Sequence, residues 1–475
     1  MASLRPIVRR SAVCNLPPVI SSMLKMPRQR AVRLLKEGGW VLFGQAIAVV
    51  GAVVLVRVMT QYLRPEQYGN LSLAITLGTL VGQVVIAGLA AGIVRYFPIA
   101  REAKDLAGYF RTVVTLGRWS FVATVAISVV LLAGIGIIWG VGWVVRALPA
   151  IVYLQLANYN AIFSGIQNSA RQRKVAALHT GIDPWLRIAV VMPILSVVGP
   201  TDVGALTAYC LALLLIFLSQ VWFARRLLAN ADTNGPTVRE NWTRQIWTYS
   251  VPILAMNPLM WAQSNADRWA LQIFSDTHVV GLYAALIQVG FTPIMLAIAL
   301  VTNFVSPILN QRSGDATDPA RNANVHRISW ILTGICLAIT LVAFVVALAL
   351  HRPIFSLLVA PDFRSVSYLM PWVLLAGGSL AAGQVLTVKL LSEMNSRALL
   401  VPRLVTSLGG IVLTLMGARF AGIDGVVGAA VLFGFAQLAW LAVIAATAPP
   451  GMAPATVAAE IASVPGPPSD LTGGS

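Results

Sequence analysis

The segment SNADRWALQIF (264–274) places two opposite charges inside a strongly apolar part of the chain. Asp267 and Arg268 are adjacent, so on a helix their side chains point about 100° apart and cannot simply neutralise each other. An ionisable side chain at the centre of a bilayer costs about 2.5–3.5 kcal/mol, so it usually faces a partner or a water-filled cavity. We therefore predict that one of the two contacts the other lobe while its neighbour faces the pathway, and both Asp267 and Arg268 are candidates for the cavity.

A second charged cluster lies in the segment HTGIDPWLR. His179, Asp183 and Arg187 are spaced four residues apart, so they share one helix face, and Pro184 loosens the helix within the cluster. A polar face of this length on a membrane helix requires water or polar neighbours. We predict that it forms a cavity wall; the alternative is an Asp183–Arg187 ion pair sealed between helices.

An internal repeat connects Arg268 with another arginine. The segment RVMTQYLRPEQYGNLSLA (57–74) resembles RWALQIFSDTHVVGLYAAL (268–286): each begins with an arginine late in an apolar run and contains a glycine where the next run opens. The repeat predicts two six-helix halves, with the transport pathway between them. Arg57 and Arg268 are then matched cavity cations, or they extend to the lipid headgroups as long basic side chains often do.

Other polar residues in or beside apolar runs have simpler alternative roles. Amides in the segment LQLANYNAIFSGIQN could bind sugars through neutral hydrogen bonds or hold helices together, and Arg146 is a further candidate for the cavity. The basic residues at the cytoplasmic mouth could equally be part of the general excess of Lys and Arg on the cytoplasmic side of membrane proteins. Lys389 and Glu393 are best explained as an interfacial ion pair. The amides are Gln155, Asn158, Asn160 and Gln167, and the mouth residues are Arg95, Arg171, Arg173 and Lys174.

The elements that must position these residues are membrane helices. The 475-residue chain is 57% hydrophobic and only 11% charged, with a mean hydropathy of +0.78, whereas soluble domains carry about 25% charged residues. Apolar runs of about 18 or more residues recur along it and predict an all-α polytopic membrane protein. Twelve spans are predicted, at 40–62, 71–97, 114–138, 141–165, 175–198, 203–224, 250–274, 281–307, 328–350, 368–391, 398–418 and 424–447.

The basic residues predict how these spans are oriented. With the N-terminus in the cytoplasm, 26 of the 34 Lys and Arg residues fall on inner segments, as the positive-inside rule requires. Both termini are then cytoplasmic, and the net charge of +17 faces anionic lipids rather than nucleic acid. The predicted organisation is a basic N-terminal segment (1–39), an N-lobe (40–224), a cytoplasmic linker (225–249), a C-lobe (250–447) and a disordered tail (448–475).

Sequence motifs for catalysis or cofactor binding are missing. The sequence contains no Gly-Lys pair, and hence no P-loop, and neither an HExxH nor a CxxC motif. Cys14, Cys210 and Cys336 are too few and too scattered for a disulfide framework or a metal cluster. No predicted outer connection is long enough to hold a sizeable catalytic domain. We therefore expect neither an enzyme nor a resident cofactor or metal.

Two segments carry a resemblance to a known family. The stretch GQAIAVVGAVVLVRVMTQYLRPEQYGNLSLAITLGTLV with GLAAGIVRYFP, and the stretch NADRWALQIFSDTHVVGLYAALIQV with PIL, resemble the openings of the two halves of oligosaccharide-lipid flippases of the multidrug/oligosaccharidyl-lipid/polysaccharide exporter superfamily. The resemblance implies a V-shaped, MATE-like bundle that alternates between inward- and outward-open states. It also implies transport of undecaprenyl-pyrophosphate-linked oligosaccharides to the outer leaflet of the cytoplasmic membrane, as a monomer that supplies a polysaccharide polymerase.

Two other classes of function stay open at this stage. An ion-coupled exporter of cations within the same superfamily would favour acids in the first two spans, which instead contain Arg57 and Arg95, although Asp183 supports it. A membrane-integral polymerase or acyltransferase would favour a large outer loop or an embedded histidine. For a flippase, we predict that Arg57, Arg187 and Arg268 attract the pyrophosphate of the substrate.

Overall fold

In a computed structural model, the described residues form helices and no strands. The structure describes residues 28–170, 172–229, 241–313, 319–392 and 400–447. Residues 1–27 of the predicted N-terminal segment, residues 230–240 of the predicted linker 225–249 and all of the predicted tail 448–475 lie outside these residues. The prediction of an all-α fold is confirmed.

Between residues 28 and 229, the described residues form seven α-helices and one π-helical turn. The turn, Gln83–Ala87, joins the second helix to the third without a break. The helices are α1 (Arg28–Tyr62), α2 (Pro65–Gly82), α3 (Gly88–Glu102), α4 (Leu106–Trp139), α5 (Val141–Ser169), α6 (Arg173–Val198) and α7 (Asp202–Ala229).

Between residues 241 and 447, five α-helices are described, one of which is bent. A 3₁₀ helix, Pro361–Leu369, precedes the fourth of them, and the fifth is interrupted by non-helical backbone at Ala421 and Gly422. The helices are α8 (Trp242–Phe274), α9 (Thr277–Ser313), α10 (Pro319–Leu358), α11 (Met370–Ser392) and α12 (Leu400–Thr447).

These helices correspond to the predicted spans when α2 and α3 are counted as one span and α12 as two. Within the described residues, ten helical runs are long and apolar enough to cross a membrane. The bend divides α12 into two such segments, and the 33-residue α8 adds another that is too polar to be among the ten. Counting the two parts of α12 separately raises the ten runs to eleven, and α8 raises them to twelve. Twelve is the number of spans that the hydropathy of the sequence predicts.

Apart from α2 and α3, which continue through the π-helical turn, successive helices reverse direction, so their connections collect at two faces of the molecule. We call the end where α1 begins and α12 ends the terminal face, and the other end the opposite face. Contacts between connections define the opposite face: the Gln67 side chain donates to the Pro200 carbonyl at 2.6 Å, and the Tyr368 hydroxyl donates to Asp424 at 2.8 Å. Left-handed glycines at 140 and 199 end α4 and α6 there, at φ values that β-carbon-bearing residues rarely adopt.

Each half packs into a lobe with its own core. In the first lobe, α1, α2, α5, α6 and α7 bury a cluster that includes Met59, Leu71 and Leu206. In the second, the end of α8 packs with α9, α10 and α11 around residues such as Tyr283 and Phe363. Large apolar side chains are exposed on the outer surfaces of α4, α6, α10 and α12, where a bilayer rather than water is the solvent.

Helix α8 is shared between the lobes. Its first residues, Trp242 and Ile246, are fully buried in a cluster formed by α3, α4 and α5 of the first lobe. Its last turns pack in the second lobe. Pro252 and Pro258 lie between these two parts; each removes a backbone donor from the helix interior, which favours bending there.

Candidate functional site

The two lobes enclose a cavity of about 380 Å³ in the half of the molecule nearer the opposite face. Its walls come from α1, α2, α5, α6 and α7 of the first lobe and from α8 and α9 of the second. Among the described residues that line this cavity, none is a carboxylate. Its polar lining residues are Tyr68, Ser72, Thr76, Thr79, Tyr153, Arg187, Tyr209, Asn265, Arg268 and Gln288.

Arg187 enters the cavity from the first lobe, and most of its donors are occupied. Its Nε donates to Asp183 Oδ1 at 3.0 Å, its Nη2 donates to the other carboxylate oxygen, and its Nη1 donates to the Tyr153 hydroxyl at 2.6 Å. The guanidinium carbon lies 5.2 Å and 5.5 Å from the ring centroids of Tyr153 and Tyr209. Paired and packed in this way, Arg187 is a fixed and largely neutralised cation.

Arg268 enters from the second lobe and keeps more of its binding capacity. Its Nη1 lies 3.9 Å from Asp267 Oδ1 and 3.5 Å from Asn265 Oδ1, and its buried Nε has no partner. Asp267 is engaged elsewhere, because it accepts the Arg268 backbone N–H at 2.8 Å and the Tyr283 hydroxyl at 2.7 Å. The adjacent charges therefore point to different partners, and Arg268 presents unused donors to the cavity.

Arg57, the repeat-related partner of Arg268, contacts the other lobe and does not line this cavity. Its Nη1 donates to the carbonyls of Ser356 and Val359 at the end of α10. The nearby Thr60 hydroxyl accepts the Ala360 backbone N–H at 3.1 Å. A cation at a helix C-terminus satisfies carbonyls that lack intrahelical partners, so Arg57 joins the lobes at the opposite face.

The other cavity candidates lie outside the walls of this cavity. Arg146 forms an ion pair with Asp202 at 2.7 Å, beside the α6–α7 connection. His179 contacts Ser219 of α7 through Nε2 at 3.0 Å, and Asn158 packs against Gly82 of α2. Thus Arg187 and Arg268 share the cavity, whereas these three side chains join helices within the first lobe.

The remaining amides of α5 also face inward within the first lobe. Asn160 donates to the Leu213 carbonyl at 3.3 Å, and Gln167 donates to Gln220 at 2.5 Å. Gln155 is 9% exposed, and neither atom of its amide has a hydrogen-bond partner. These contacts connect α5 to α7, as expected for amides that hold membrane helices together.

The predicted mouth residues lie towards the terminal face. Arg95 is exposed on α3, Arg173 begins α6, and the Lys174 ammonium lies 5.0 Å from the ring centroid of Trp40. Arg171 lies outside the described residues. Lys389 is 2% exposed and donates to the Ala445 carbonyl at 2.9 Å, so it binds the end of α12; Glu393 lies outside the described residues.

Backbone contacts close the cavity on the side of the opposite face. Gly69 of α2 and Gly281 of α9 occupy the same position in the two repeats and pack against each other's helix. A β-carbon on Gly281 would overlap the Pro65 carbonyl, and one on Gly69 would overlap the Thr277 carbonyl. His278 Nδ1 lies 2.7 Å from Glu66 Oε1 across the same junction. The repeat glycines therefore allow the lobes to meet without a gap.

On the terminal side, the junction between α3 and α8 is also closed. The Trp242 indole N–H donates to Asp105 Oδ2 at 2.8 Å, while Asp105 Oδ1 accepts the Gly108 N–H and caps α4. Gly92 packs against Ser250 and Ile246 of α8. The cavity thus lies between two zones in which the lobes are in contact.

This arrangement defines the chain as an α-helical membrane protein with the fold of alternating-access transporters. No protein-family profile matches the chain, and no curated protein matches it in sequence. Solved structures do match. The lipid II flippase MurJ in an inward closed conformation aligns with a TM-score of 0.64 at 12% identity, over 87% of this chain and 88% of MurJ.

Multidrug transporters match over a similar length. An inward-facing MATE family transporter of the MOP superfamily aligns with a TM-score of 0.62 at 15% identity, covering 85% of this chain and 94% of that one. An outward-facing MATE transporter of the same superfamily gives a TM-score of 0.54 at 13% identity, covering 86% and 96%. These neighbours are transporters and a flippase, not enzymes, and at this level of identity they establish the fold alone.

The Asp183–Arg187 pair leads to a prediction about stability. We expect Asp183→Ala to lower the free energy of unfolding by about 3 kcal/mol, because it leaves a half-buried guanidinium without its carboxylate. The double variant Asp183→Ala/Arg187→Ala should lose less than the sum of the two single variants. Thermal unfolding of the purified protein measures this, with Asp362→Ala, at an exposed aspartate, as the control. Strict additivity of the two single effects would contradict the pairing.

Sequence reasoning missed the tyrosines of the site. Tyr153, Tyr209 and Tyr283 bind or pack against the charged residues, yet each lies in an apolar segment where a tyrosine looks like an ordinary core residue. The available signal was local: Tyr283 follows directly on the repeat glycine, at Gly281-Leu282-Tyr283. Asn265 was visible beside the charges, but its place in the cavity wall requires the structure.

Proposed function

We propose that this protein is an alternating-access flippase for undecaprenyl-pyrophosphate-linked oligosaccharides, which it moves from the inner to the outer leaflet for surface polysaccharide synthesis. The observation that supports this most directly is the charge of the cavity. In the part of the chain that the structure describes, one arginine from each lobe lines it and no carboxylate does. Guanidinium groups bind phosphate oxygens with paired donors, so the cavity suits an anionic headgroup.

The charge of the cavity also distinguishes this proposal from its main alternative, an exporter of cations. A multidrug exporter for cationic compounds, which the structural neighbours support equally, calls for negative charge or acceptors exposed in the cavity. Here Asp183 and Asp267 are not among the described residues that line the cavity. Asp183 is engaged by Arg187, and Asp267 accepts the Arg268 backbone N–H and the Tyr283 hydroxyl. A cation entering this cavity would meet positive charge in a medium of low dielectric constant, which strengthens repulsion.

The proposal includes an orientation. The excess of Lys and Arg on the predicted inner segments supports a cytoplasmic terminal face and hence cytoplasmic termini, in a bacterial inner membrane. The contacts at the opposite face then close the pathway towards the outside. The cavity would receive substrate from the cytoplasmic side, in keeping with the inward-facing neighbours.

Ligand binding to the purified protein tests the proposal. In lipid nanodiscs, we expect undecaprenyl pyrophosphate to bind with an affinity that falls as salt concentration rises, because the contact is ionic. Tetraphenylphosphonium, an apolar organic cation, should not compete with it. Saturable binding of tetraphenylphosphonium together with an absence of pyrophosphate binding would favour the cation exporter.

A further inference from the structure

A stripe of alternating amide and indole side chains runs along α8. Asn257, Trp261, Asn265 and Trp269 follow one another at intervals of four residues, so they share one side of the helix. Three of them donate hydrogen bonds to the first lobe, and the fourth, Asn265, lines the cavity next to Arg268. We call these four residues the α8 stripe.

The partners of the α8 stripe are neutral acceptors on the first lobe. The Trp261 indole N–H lies 2.9 Å from the Thr76 carbonyl and 3.0 Å from the Thr79 hydroxyl, and the Trp269 N–H donates to the Thr76 hydroxyl at 2.9 Å. Both threonine hydroxyls donate back into their own helix at 2.6 Å. They therefore offer only lone pairs to the indoles, and no ionic contact joins the stripe to the first lobe.

A backbone irregularity supplies the remaining partner. The Asn257 amide donates to the Gln83 carbonyl at 2.9 Å, and Gln83 opens the π-helical turn between α2 and α3. A π-helical turn interrupts the regular i to i−4 pattern and makes carbonyls available to outside donors. The first lobe thus provides a row of acceptors that matches the row of donors on α8.

An aromatic contact adds a surface of a different kind. Trp139, at the end of α4, stacks on Trp269 with ring centroids 6.0 Å apart and planes at 25°. This stack also joins the two lobes. When α8 moves away from the first lobe, it leaves an indole face on each side of the gap, together with the amide and indole N–H groups of the stripe.

We infer that the α8 stripe is the binding site for the glycan portion of the substrate. Sugars present rows of hydroxyl groups, which pair with amides and indole N–H groups, and apolar ring faces, which pack on indoles. The inference rests on the proposed function, because a pyrophosphate at Arg268 holds the first sugars beside Asn265. As the lobes part, hydrogen bonds to Thr76, Thr79 and Gln83 are exchanged for hydrogen bonds to the sugar.

This exchange links the glycan to the movement of the lobes. When the lobes separate, the donors of the α8 stripe lose their acceptors on the first lobe. Without new acceptors they stay unsatisfied in a poorly hydrated site, which is unfavourable. A sugar that accepts those hydrogen bonds stabilises the separated state relative to the closed one. A ligand shifts a conformational equilibrium only through such a difference in affinity.

The test compares two ligands that differ only in the glycan. Affinities of undecaprenyl pyrophosphate and of the same lipid carrying a disaccharide are measured in nanodiscs, and their ratio is the quantity of interest. Loss of one neutral hydrogen bond corresponds to a factor of about two to ten. We expect Asn265→Ala and Trp261→Phe each to reduce the preference for the glycan-bearing lipid by about three- to tenfold.

Matched variants separate the glycan site from the phosphate site. Arg268→Ala should weaken both ligands equally and leave the ratio unchanged. Trp222→Phe, whose indole packs on Arg226 of α7 and lies outside the stripe and the cavity lining, should leave both affinities and their ratio unchanged. An unchanged ratio in both Asn265→Ala and Trp261→Phe, or equal affinities of the two lipids for the wild type, would overturn the inference while leaving the phosphate site intact. Failure of both lipids to bind the wild type contradicts the proposed function, and the inference with it.

Discussion

Replacing Arg268 with alanine is expected to weaken binding of undecaprenyl pyrophosphate by about 10- to 100-fold and to reduce export in proportion. Hydrogen bonds to a charged group contribute about 1.5–3 kcal/mol, and each 1.4 kcal/mol is a factor of ten in affinity. Arg268 is the cavity cation with unused donors, since its Nε has no partner and its nearest carboxylate oxygen is 3.9 Å away. Titration calorimetry on purified protein measures the change directly.

Two further variants make this result specific to the guanidinium group. Arg268→Lys keeps the charge and loses the paired donors, so its affinity should fall between those of the wild type and the alanine variant. Arg419→Ala removes an exposed arginine from the same lobe, 5.8 Å from the Phe274 ring centroid, and should bind as the wild type does. Equal affinities in all four proteins would assign Arg268 a purely structural role.

Replacing Gly281 with alanine is expected to hold the lobes apart at the opposite face and to reduce transport at least tenfold, a loss of about 1.4 kcal/mol or more. The added β-carbon would overlap the Pro65 carbonyl, which belongs to the backbone and cannot rotate away as a side chain could. Closure of this face would then be sterically blocked, and the transport cycle would be interrupted. The other contacts of the junction, including Arg57 with the end of α10, would be strained or broken.

Electron–electron double resonance, which measures the distance between two spin labels, tests whether Gly281→Ala holds the lobes apart. Spin labels at the exposed positions Gln61 and Leu357 report the separation of α1 from α10, and Gly281→Ala should shift that distance to longer values. Gly428→Ala is the matched control, because a β-carbon at that helical position meets nothing within 4 Å. An unchanged distance with full transport activity would mean that the helices accommodate the methyl group and that this contact does not control closure.

Much of the fold was accessible from sequence because membrane helices are determined locally. Length and apolar character alone identify a spanning segment, so the predicted spans correspond to the helices once α2 and α3 are taken together and α12 is divided at its bend. The helices show little amphipathic patterning, because their lipid-facing and lobe-facing residues are both apolar. The spans could still be recognised, since length and hydropathy identify them. The polar α8 shows the limit of this argument, since Asn257, Gln263 and Asn265 lower its hydropathy while serving contacts with other helices.

The site was less accessible because its contacts join distant parts of the chain. Arg57 and Arg268 are equivalent in the repeat, yet one binds carbonyls 299 and 302 residues away and the other faces the cavity. Nothing in their local sequences indicates this difference, which depends on how α10 meets α1. The amides of α5 were equally ambiguous, and whether an amide faces a neighbouring helix or a cavity depends on helix rotation within the bundle.

The burial of Trp242 in the first lobe has a consequence for biosynthesis. Domains generally fold as they emerge during translation, the N-terminal one first. Here, however, two buried residues of the first lobe's core, Trp242 and Ile246, belong to the seventh span and not to the first six. The α3–α4–α5 cluster of the first lobe remains open until the first turn of the seventh span arrives, after which Trp242 and Ile246 complete it. The first lobe therefore finishes folding only as the second begins to form, and the growing second lobe is anchored to an already assembled surface from its first turn.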